Sequence, residues 1–297
     1  MAGSLDSALE RLLAVLAHLK VPSVAHLQPG LIAEAIDRLT EGLQYQLPGD
    51  LRSLYQWRNG SEPATGRNQL FPGGGFVPLR VAVITYQGFR DATERVVDGT
   101  EVNSTEIYDP RWFPVFLSYG NSAYIVVCGA GPAAGSVWDL LLEDTSERQQ
   151  AAGSLSDFIY TIANRWELGA YYFDPEFGPQ SDYAALAAER RAKHPIPVDV
   201  PALVDALAAD HPQHRARALR SLKTFLYPEA GPLLVALLNH PDRGTRASAA
   251  LLLGQMGDPS VLPALISALD DRDYSVREKA KWGISELQRQ QQRRRTV

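Results

Sequence analysis

The sequence predicts two domains: an α+β domain with an antiparallel sheet packed against helices, followed by an all-α stack of helical repeats. Three observations support this prediction. The 297 residues are enough for two cores of ordinary size. The first part is rich in aromatic residues, glycine and short β-like runs, whereas the last third is rich in leucine and alanine. That last third also repeats one residue pattern three times at a fixed spacing, which is typical of stacked helical pairs.

The predicted domain boundaries lie where proline and glycine break the chain. An amphipathic helix at 1–24 comes before the α+β domain at 25–175. A linker with a short charged helix follows at 176–198, because Asp174-Pro175 and His194-Pro195 interrupt regular structure on either side. The remaining segments are three repeats and a basic tail, at 199–229, 230–260, 261–290 and 291–297.

Two helices are predicted early in the α+β domain. Apolar residues recur with helical spacing over 31–39, and Asp50 can cap a second helix over 51–58. Asn59-Gly60 follows that helix, and we interpret the pair as a left-handed C-terminal cap rather than a hairpin turn.

The second half of this domain predicts an antiparallel meander and a closing helix. Three short runs rich in aromatic and branched residues, at 112–117, 123–128 and 136–142, are separated by glycine-containing turns. Ser154, with Asp157 three residues later, predicts the start of a helix from Leu155 to about Leu168.

Six short motifs occur in a fixed order through this domain. They are Trp57-Arg58-Asn59-Gly60, Leu70-Phe71-Pro72-Gly73, Phe76-Val77-Pro78-Leu79, Trp112-Phe113-Pro114-Val115, Gly135-Ser136-Val137-Trp138 and Ser154-Leu155-Ser156-Asp157-Phe158. This order resembles the SUKH superfamily, which includes Smi/Knr-type fungal cell-wall regulators and bacterial immunity proteins. The resemblance covers roughly residues 25–175. It implies a mixed α+β domain that acts by binding protein partners, among them toxins, and it implies no active site.

Within the resemblance, we expect structural roles for the motif residues. Trp57 and Trp112 are expected to anchor the core, Trp138 belongs to the strand motif, and Asn59 and Gly60 are expected to end a helix. The long loops at 61–69 and 91–109 are better candidates for partner contact, because loops vary without disturbing a fold. The candidate contact residues are Glu62, Arg67, Asp91, Glu94, Asp98, Glu101, Glu106 and Asp109.

The repeats resemble short HEAT-like repeats of the kind found in phycobilin lyases, with two helices in each unit. Equivalent positions carry the same residue type in all three copies, as at Ala218, Ala249 and Ala280. Asp258-Pro259 supplies a helix start for the third unit, because proline is well tolerated in a first turn.

An arginine recurs at Arg215, Arg246 and Arg277, and two interpretations of this column are open. It could form a basic ladder for carboxylates or phosphates. Alternatively, the arginines could bridge the turns of adjacent units, since Asp242 and Asp273 lie four residues before the second and third arginine. We favour the structural interpretation.

Composition and motifs exclude several classes of function. Residues 1–195 hold 15 Lys or Arg against 23 Asp or Glu, which argues against nucleic acid and leaves room for a basic partner, although ordinary solubility charge is an equal alternative. The single Cys128 allows no disulfide within one chain. No P-loop, nucleophile elbow or zinc-binding motif occurs, so we predict no catalytic, cofactor-binding or metal-binding residues.

The sequence therefore predicts a non-enzymatic protein-binding protein. The leading hypothesis is an immunity protein of a toxin–antitoxin pair, which neutralises a toxin through the SUKH-like domain and uses the repeats as an added interaction surface. Two alternatives stay open: an intracellular regulatory scaffold, and a repeat protein similar to phycobilin lyases. We expect a cytoplasmic protein that does not bind a membrane, because no run of 18 apolar residues occurs. The sequence leaves the oligomeric state open.

Overall fold

Two units of different secondary structure make up the described part of the chain. The computed structural model describes residues 4–97, 108–118, 122–141, 148–193, 195 and 197–296. The chain divides into Met1–Ser181, which mixes helices with an antiparallel sheet, and Asp182–Val297, which is helical. The predicted fold class is therefore confirmed.

The first unit contains five helices and nine strands among its described residues. The helices are α1 (Leu5–His18), α2 (Ala33–Thr40), α3 (Gly49–Trp57), α4 (Leu79–Val97) and α5 (Leu155–Glu167). The strands are β1 (Leu27–Pro29), β2 (Arg58–Ser61), β3 (Gly75–Phe76), β4 (Trp112–Leu117), β5 (Ser122–Val127), β6 (Val137–Leu141), β7 (Arg148–Ala152), β8 (Tyr171–Asp174) and β9 (Gly178–Ser181).

The main sheet has five antiparallel strands in the order β3-β4-β5-β6-β7. Its centre is the predicted meander, and β3 and β7 extend it on either side. Strand β4 buries consecutive residues, with Val115 and Phe116 both inaccessible to solvent, because both of its faces are covered. Two small ribbons, β1-β2 and β8-β9, complete the strands.

An aromatic cluster forms the core between this sheet and α5. The ring of Phe71 packs edge-on against Phe116 and Phe158, with centroids 5.4 and 5.6 Å away. Trp166 is 1 % exposed, and its indole N–H donates to the Leu70 carbonyl at 2.9 Å. A buried tryptophan on an amphipathic helix has no sequence signal beyond its apolar register, and the sequence analysis did not select it.

Trp57 and Trp112, which were expected to anchor the core, are half-buried rather than fully buried. Trp112 packs with Trp138 against a small separate cluster that contains Ile125 and Leu140. Short apolar runs do not reveal which member faces the main core, because both faces of a central strand can be apolar.

Helix α1 belongs to the first unit. Leu9, Leu12 and Leu16 are each 1 % exposed, and α1 packs along α5. Arg11 forms an ion pair with Glu167 of α5. The amphipathic helix predicted at 1–24 therefore uses its apolar face inside this unit.

Three local predictions in the first unit are corrected. Asn59-Gly60 is not a left-handed C-terminal cap of α3, because the backbone is already extended at Arg58 and continues as β2. The helix predicted at 51–58 begins at Gly49, so Asp50 lies in its first turn instead of capping it. The predicted loop at 91–109 is shorter, because residues 91–97 extend α4.

The second unit contains seven helices in its described residues. They are α6 (Tyr183–Lys193), α7 (Val200–Asp205), α8 (Pro212–Phe225), α9 (Gly231–Leu237), α10 (Arg243–Met256), α11 (Leu262–Ser267) and α12 (Tyr274–Thr296). The last six form three pairs, one for each sequence repeat. The alanine column of Ala218, Ala249 and Ala280 lies in the core of the second unit, with Ala249 and Ala280 inaccessible to solvent.

Helix α6 was predicted within a linker, yet it packs inside the second unit. Ala187 is inaccessible to solvent and belongs to the repeat core. Arg191 donates to the carbonyls of Phe225 and Leu226 at the end of α8, the latter at 2.8 Å. The predicted basic tail likewise continues α12 through residue 296. None of the described helices is long and apolar enough to span a membrane.

Candidate functional site

Two of the ordered motifs of the first unit are joined by direct contacts. The Asn59 side-chain oxygen accepts a hydrogen bond from the Leu79 amide at 2.9 Å, and its amide donates to Gln28 Oε1 at 3.2 Å. Gly60 has a φ of +71°, and a Cβ atom there would lie 2.4 Å from the Pro78 nitrogen. Only glycine combines this backbone conformation with so close an approach. Asn59 and Gly60 therefore position the start of α4.

Helix α4 in turn presents part of the predicted acidic contact region. Asp91 is exposed on α4, and Glu94 lies in the same helix. Asp98, Glu101 and Glu106 lie outside the described residues.

The chain returns to α4 at Tyr108. Its amide donates to Thr93 Oγ1 at 2.9 Å, and its ring stacks on Phe89 with centroids 4.3 Å apart. Tyr86 also donates from its hydroxyl to the Pro110 carbonyl at 3.0 Å. Tyr108 and Pro110 are thus held against neighbouring turns of α4.

Asp109 is engaged by a local arginine. Arg111 donates from Nε to Asp109 Oδ1 at 3.0 Å and from Nη2 to Oδ2 at 2.6 Å. These hydrogen bonds hold the pKa of the Asp109 carboxyl below its usual value, so the group is charged at neutral pH. Next to this pair, the guanidinium of Arg148 lies 5.5 Å from the Trp112 ring centre. Asp109 therefore belongs to a paired surface cluster rather than to a set of unpaired acids.

Glu62 and Arg67 lie elsewhere in the first unit. Both are exposed, and Glu62 accepts a hydrogen bond from Gln28 Nε2 at 3.0 Å. In the described part of the chain, no hydrogen bond or ion pair joins either residue to Asp91 or Asp109.

The sequence analysis missed an open cleft of about 740 Å³ beside α2 and α3. Its lining includes Glu41 and Tyr45, and Arg52 forms an ion pair with Asp37 at 2.6 Å on its wall. No motif marks this cleft in the sequence, because most of its lining belongs to the end of α2 and the turn that follows. It is a second polar surface on the first unit.

In the repeats, the arginine column lies in the turns between paired helices. Nη1 of Arg215 donates to the Ala209 and Asp210 carbonyls at 2.7 and 3.0 Å. Nη1 of Arg246 and of Arg277 does the same at equivalent carbonyls, at 2.9 Å to His240 and 2.8 Å to Asp271. Each arginine therefore closes the turn that precedes its own helix.

Arg246 makes a further contact that links adjacent units. Its Nε and Nη2 donate to the two carboxylate oxygens of Asp271 at 2.7 and 2.9 Å, and the two side chains are only 5 % and 12 % exposed. This pairing lowers the pKa of Asp271. The acid that pairs with the column arginine Arg246 is thus Asp271, whereas Asp273 forms an ion pair with Arg243 of the preceding repeat at 3.5 Å. Asp242 instead accepts from the Thr245 amide at 2.8 Å as the N-cap of α10.

Two family comparisons agree with this geometry. The model of the SMI1 / KNR4 family (SUKH-1) matches residues 30–161, and the model of HEAT repeats matches residues 200–285. A comparison with curated proteins finds no match. The first match includes all six ordered motifs up to Phe158, and the second includes the paired helices, so the predicted resemblance and its order are confirmed. Residues 30–161 are therefore similar to the SMI1 / KNR4 family (SUKH-1) and are called the SUKH-1 domain below, and residues 200–285 are similar to HEAT repeats and are called the HEAT repeats.

Proposed function

We propose that this chain is a non-enzymatic protein-binding protein whose SUKH-1 domain binds and neutralises a toxin, with the HEAT repeats as an added interaction surface. The two family matches support a role in protein interaction. The observation that carries the finer proposal is the acidic segment, defined as residues 91–109. It contains six carboxylates, counting Asp109, and a single arginine. Asp91 lies in α4, and the Tyr108 amide donates to Thr93 of the same helix.

This arrangement fits a partner with a basic surface. Clustered carboxylates attract basic proteins at long range and disfavour partners of like charge. A toxin that acts on a polyanion needs a basic substrate-binding face, and the acidic segment would compete for that face.

The proposal is tested by co-expression with the product of an adjacent toxin-like gene, together with a direct binding measurement. The informative variant neutralises Asp91→Asn, Glu94→Gln and Glu106→Gln together. A matched control neutralises three exposed acids elsewhere in the first unit, Glu10→Gln, Glu34→Gln and Glu176→Gln. We expect the first variant to weaken binding about tenfold and to reduce its salt dependence, and the control to change binding less than twofold.

Each outcome decides a part of the proposal. Absence of both binding and protection by the unmodified chain would remove the immunity role. Protection that both triple variants retain equally would remove the acidic segment as the contact. Binding to a housekeeping assembly without any protection would favour the regulatory scaffold instead.

A further inference from the structure

Equivalent side chains of the three repeats have very different exposure. Val204 and Leu207 of the first repeat are each 2 % exposed. Their equivalents in the second repeat, Val235 and Leu238, are partly buried beside residues of α11. In the third repeat the equivalents are Ile266 and Leu269, which are 51 % and 37 % exposed. The side chains that are buried or partly buried in the first two repeats are therefore uncovered in the third, within the described residues.

The α12 side of the same end is polar. In α10, Ala250 and Gly254 face α12, and a Cβ at Gly254 would lie 2.4 Å from the Gly283 Cα. The equivalent positions in α12 are Lys281 and Ser285, both exposed. Terminal repeats usually carry such polar outer residues for solubility. The apolar strip on α11 departs from that rule.

Arg277, the last arginine of the column, also differs from Arg246 in its partners. Arg246 receives the carboxylate of Asp271 from the following unit through its Nε and Nη2. Arg277 makes the same turn contact through Nη1, and its guanidinium lies 5.7 Å from the Tyr274 ring centre. Within the part of the chain that the structure describes, no carboxylate pairs with Arg277. Within the described residues, the outer side of the third repeat thus lacks both the apolar cover and the acid that an adjacent repeat supplies.

We infer that Ile266, Leu269 and Arg277 form a docking site for a helix–turn segment of a protein partner, with an apolar helix face and a carboxylate in the turn. This is the chemistry by which α11 and Asp271 meet the preceding unit, so the site continues an interface that the chain already uses. The positive charge of Arg277 selects an acidic turn over a basic one. The inference concerns the repeats alone and does not require the partner to be a toxin.

The test uses the full chain and a peptide that copies the segment shown to fit the preceding unit. The probe is a fluorescent synthetic peptide of residues 258–273, with a hydrocarbon staple replacing positions 259 and 263, which are exposed and do not line the cleft between α9 and α11, to hold it helical. We expect saturable binding by fluorescence anisotropy. Arg277→Gln in the protein, or Asp271→Asn in the peptide, should each weaken it about fivefold, and the two changes together should cost little more than one.

Replacing the apolar strip by Ile266→Asp and Leu269→Asp should abolish binding. The matched control is Leu168→Asp, which changes a side chain that is 73 % exposed in the first unit and should leave binding unchanged. No saturable binding up to about 1 mM peptide would overturn the inference. Binding that survives the double substitution would also overturn it, and binding unaffected by both charge changes would refute the carboxylate requirement. Loss of toxin protection alone would leave all these results intact, so the two proposals fail separately.

Discussion

Asn59 and Leu79 are joined by a hydrogen bond across 20 residues, in which the Asn59 side-chain oxygen accepts from the Leu79 amide at 2.9 Å. Leu79 is the first residue of α4, whose amide has no partner within the helix. The bond therefore caps α4 from a separate motif and explains why the two motifs occur together. Because Gly60 has no side chain, its backbone can approach Val77 and Pro78 closely enough for this hydrogen bond to form.

We expect Gly60→Ala to destabilise the SUKH-1 domain by about 3 kcal/mol, because it adds an unfavourable positive φ and a clash with the backbone at Val77 and Pro78. Urea unfolding followed by tryptophan fluorescence measures the loss. The matched control is Gly88→Ala in α4, where an added Cβ meets nothing within 4 Å. That change should stabilise the domain by roughly 0.5–1 kcal/mol. Equal effects of the two substitutions would refute this explanation of Gly60.

Cys128 should report on opening of the SUKH-1 domain. The thiol is inaccessible to solvent, and burial raises its pKa to about 12. Because the thiolate is the reactive form, labelling by a thiol reagent at pH 8 should be at least ~100-fold slower than for an unfolded chain. The rate should rise with urea in parallel with the fluorescence transition, and the chain has no other cysteine to confuse the signal. Fast labelling without denaturant would show that this part of the sheet opens locally.

Periodicity and turn residues predicted the general fold, because both report on local structure. The meander and the paired repeat helices follow from runs of apolar residues and from caps such as Ser154, whose hydroxyl accepts from the Asp157 amide at 3.0 Å. The prediction that Asn59-Gly60 ends a helix was wrong, because the role of this pair depends on Val77 and Pro78, which are distant from it in the sequence. No local pattern contains that information.

The candidate sites could be predicted less well than the fold, because their contacts also join residues that are distant in the sequence. The arginine column could be found from spacing, but its partner Asp271 follows Arg246 by 25 residues and belongs to the next unit. The exposure of Ile266 is invisible in a pattern that it shares with the buried Val204. Equivalent positions in a repeat differ only through their neighbours, so tertiary structure alone separates them.

We expect the HEAT repeats to be stable when expressed alone only if the fragment includes helix α6. It buries Ala187 in the repeat core and ties Arg191 to the carbonyls that end α8. We expect a fragment of residues 182–297 to show a cooperative thermal transition, and a fragment of residues 196–297 to be poorly soluble or partly unfolded. Circular dichroism and calorimetry on both fragments check this. A sharp, equal transition for the shorter fragment would show that α6 adds no stability.

The pair of Arg246 and Asp271 should make the stability of the HEAT repeats depend on pH. Both side chains are largely buried, and the pair lowers the pKa of Asp271 in the folded state. A lowered folded-state pKa means that the stabilisation is complete above the unfolded pKa of about 3.9 and is lost as the pH falls through the folded value. We expect Asp271→Asn to cost about 2–3 kcal/mol at pH 7, because it leaves the Arg246 charge buried without its partner.

The difference in unfolding free energy between the unmodified chain and Asp271→Asn should therefore be constant from pH 5 to pH 8 and shrink below about pH 4. Denaturant unfolding at a series of pH values, monitored by circular dichroism, measures it. Asp270→Asn is the matched control, since Asp270 is the exposed neighbour of Asp271, and it should change stability by less than about 0.5 kcal/mol. A difference that persists undiminished at acidic pH would mean that the substitution destabilises the turn for a reason other than the loss of the Asp271 charge.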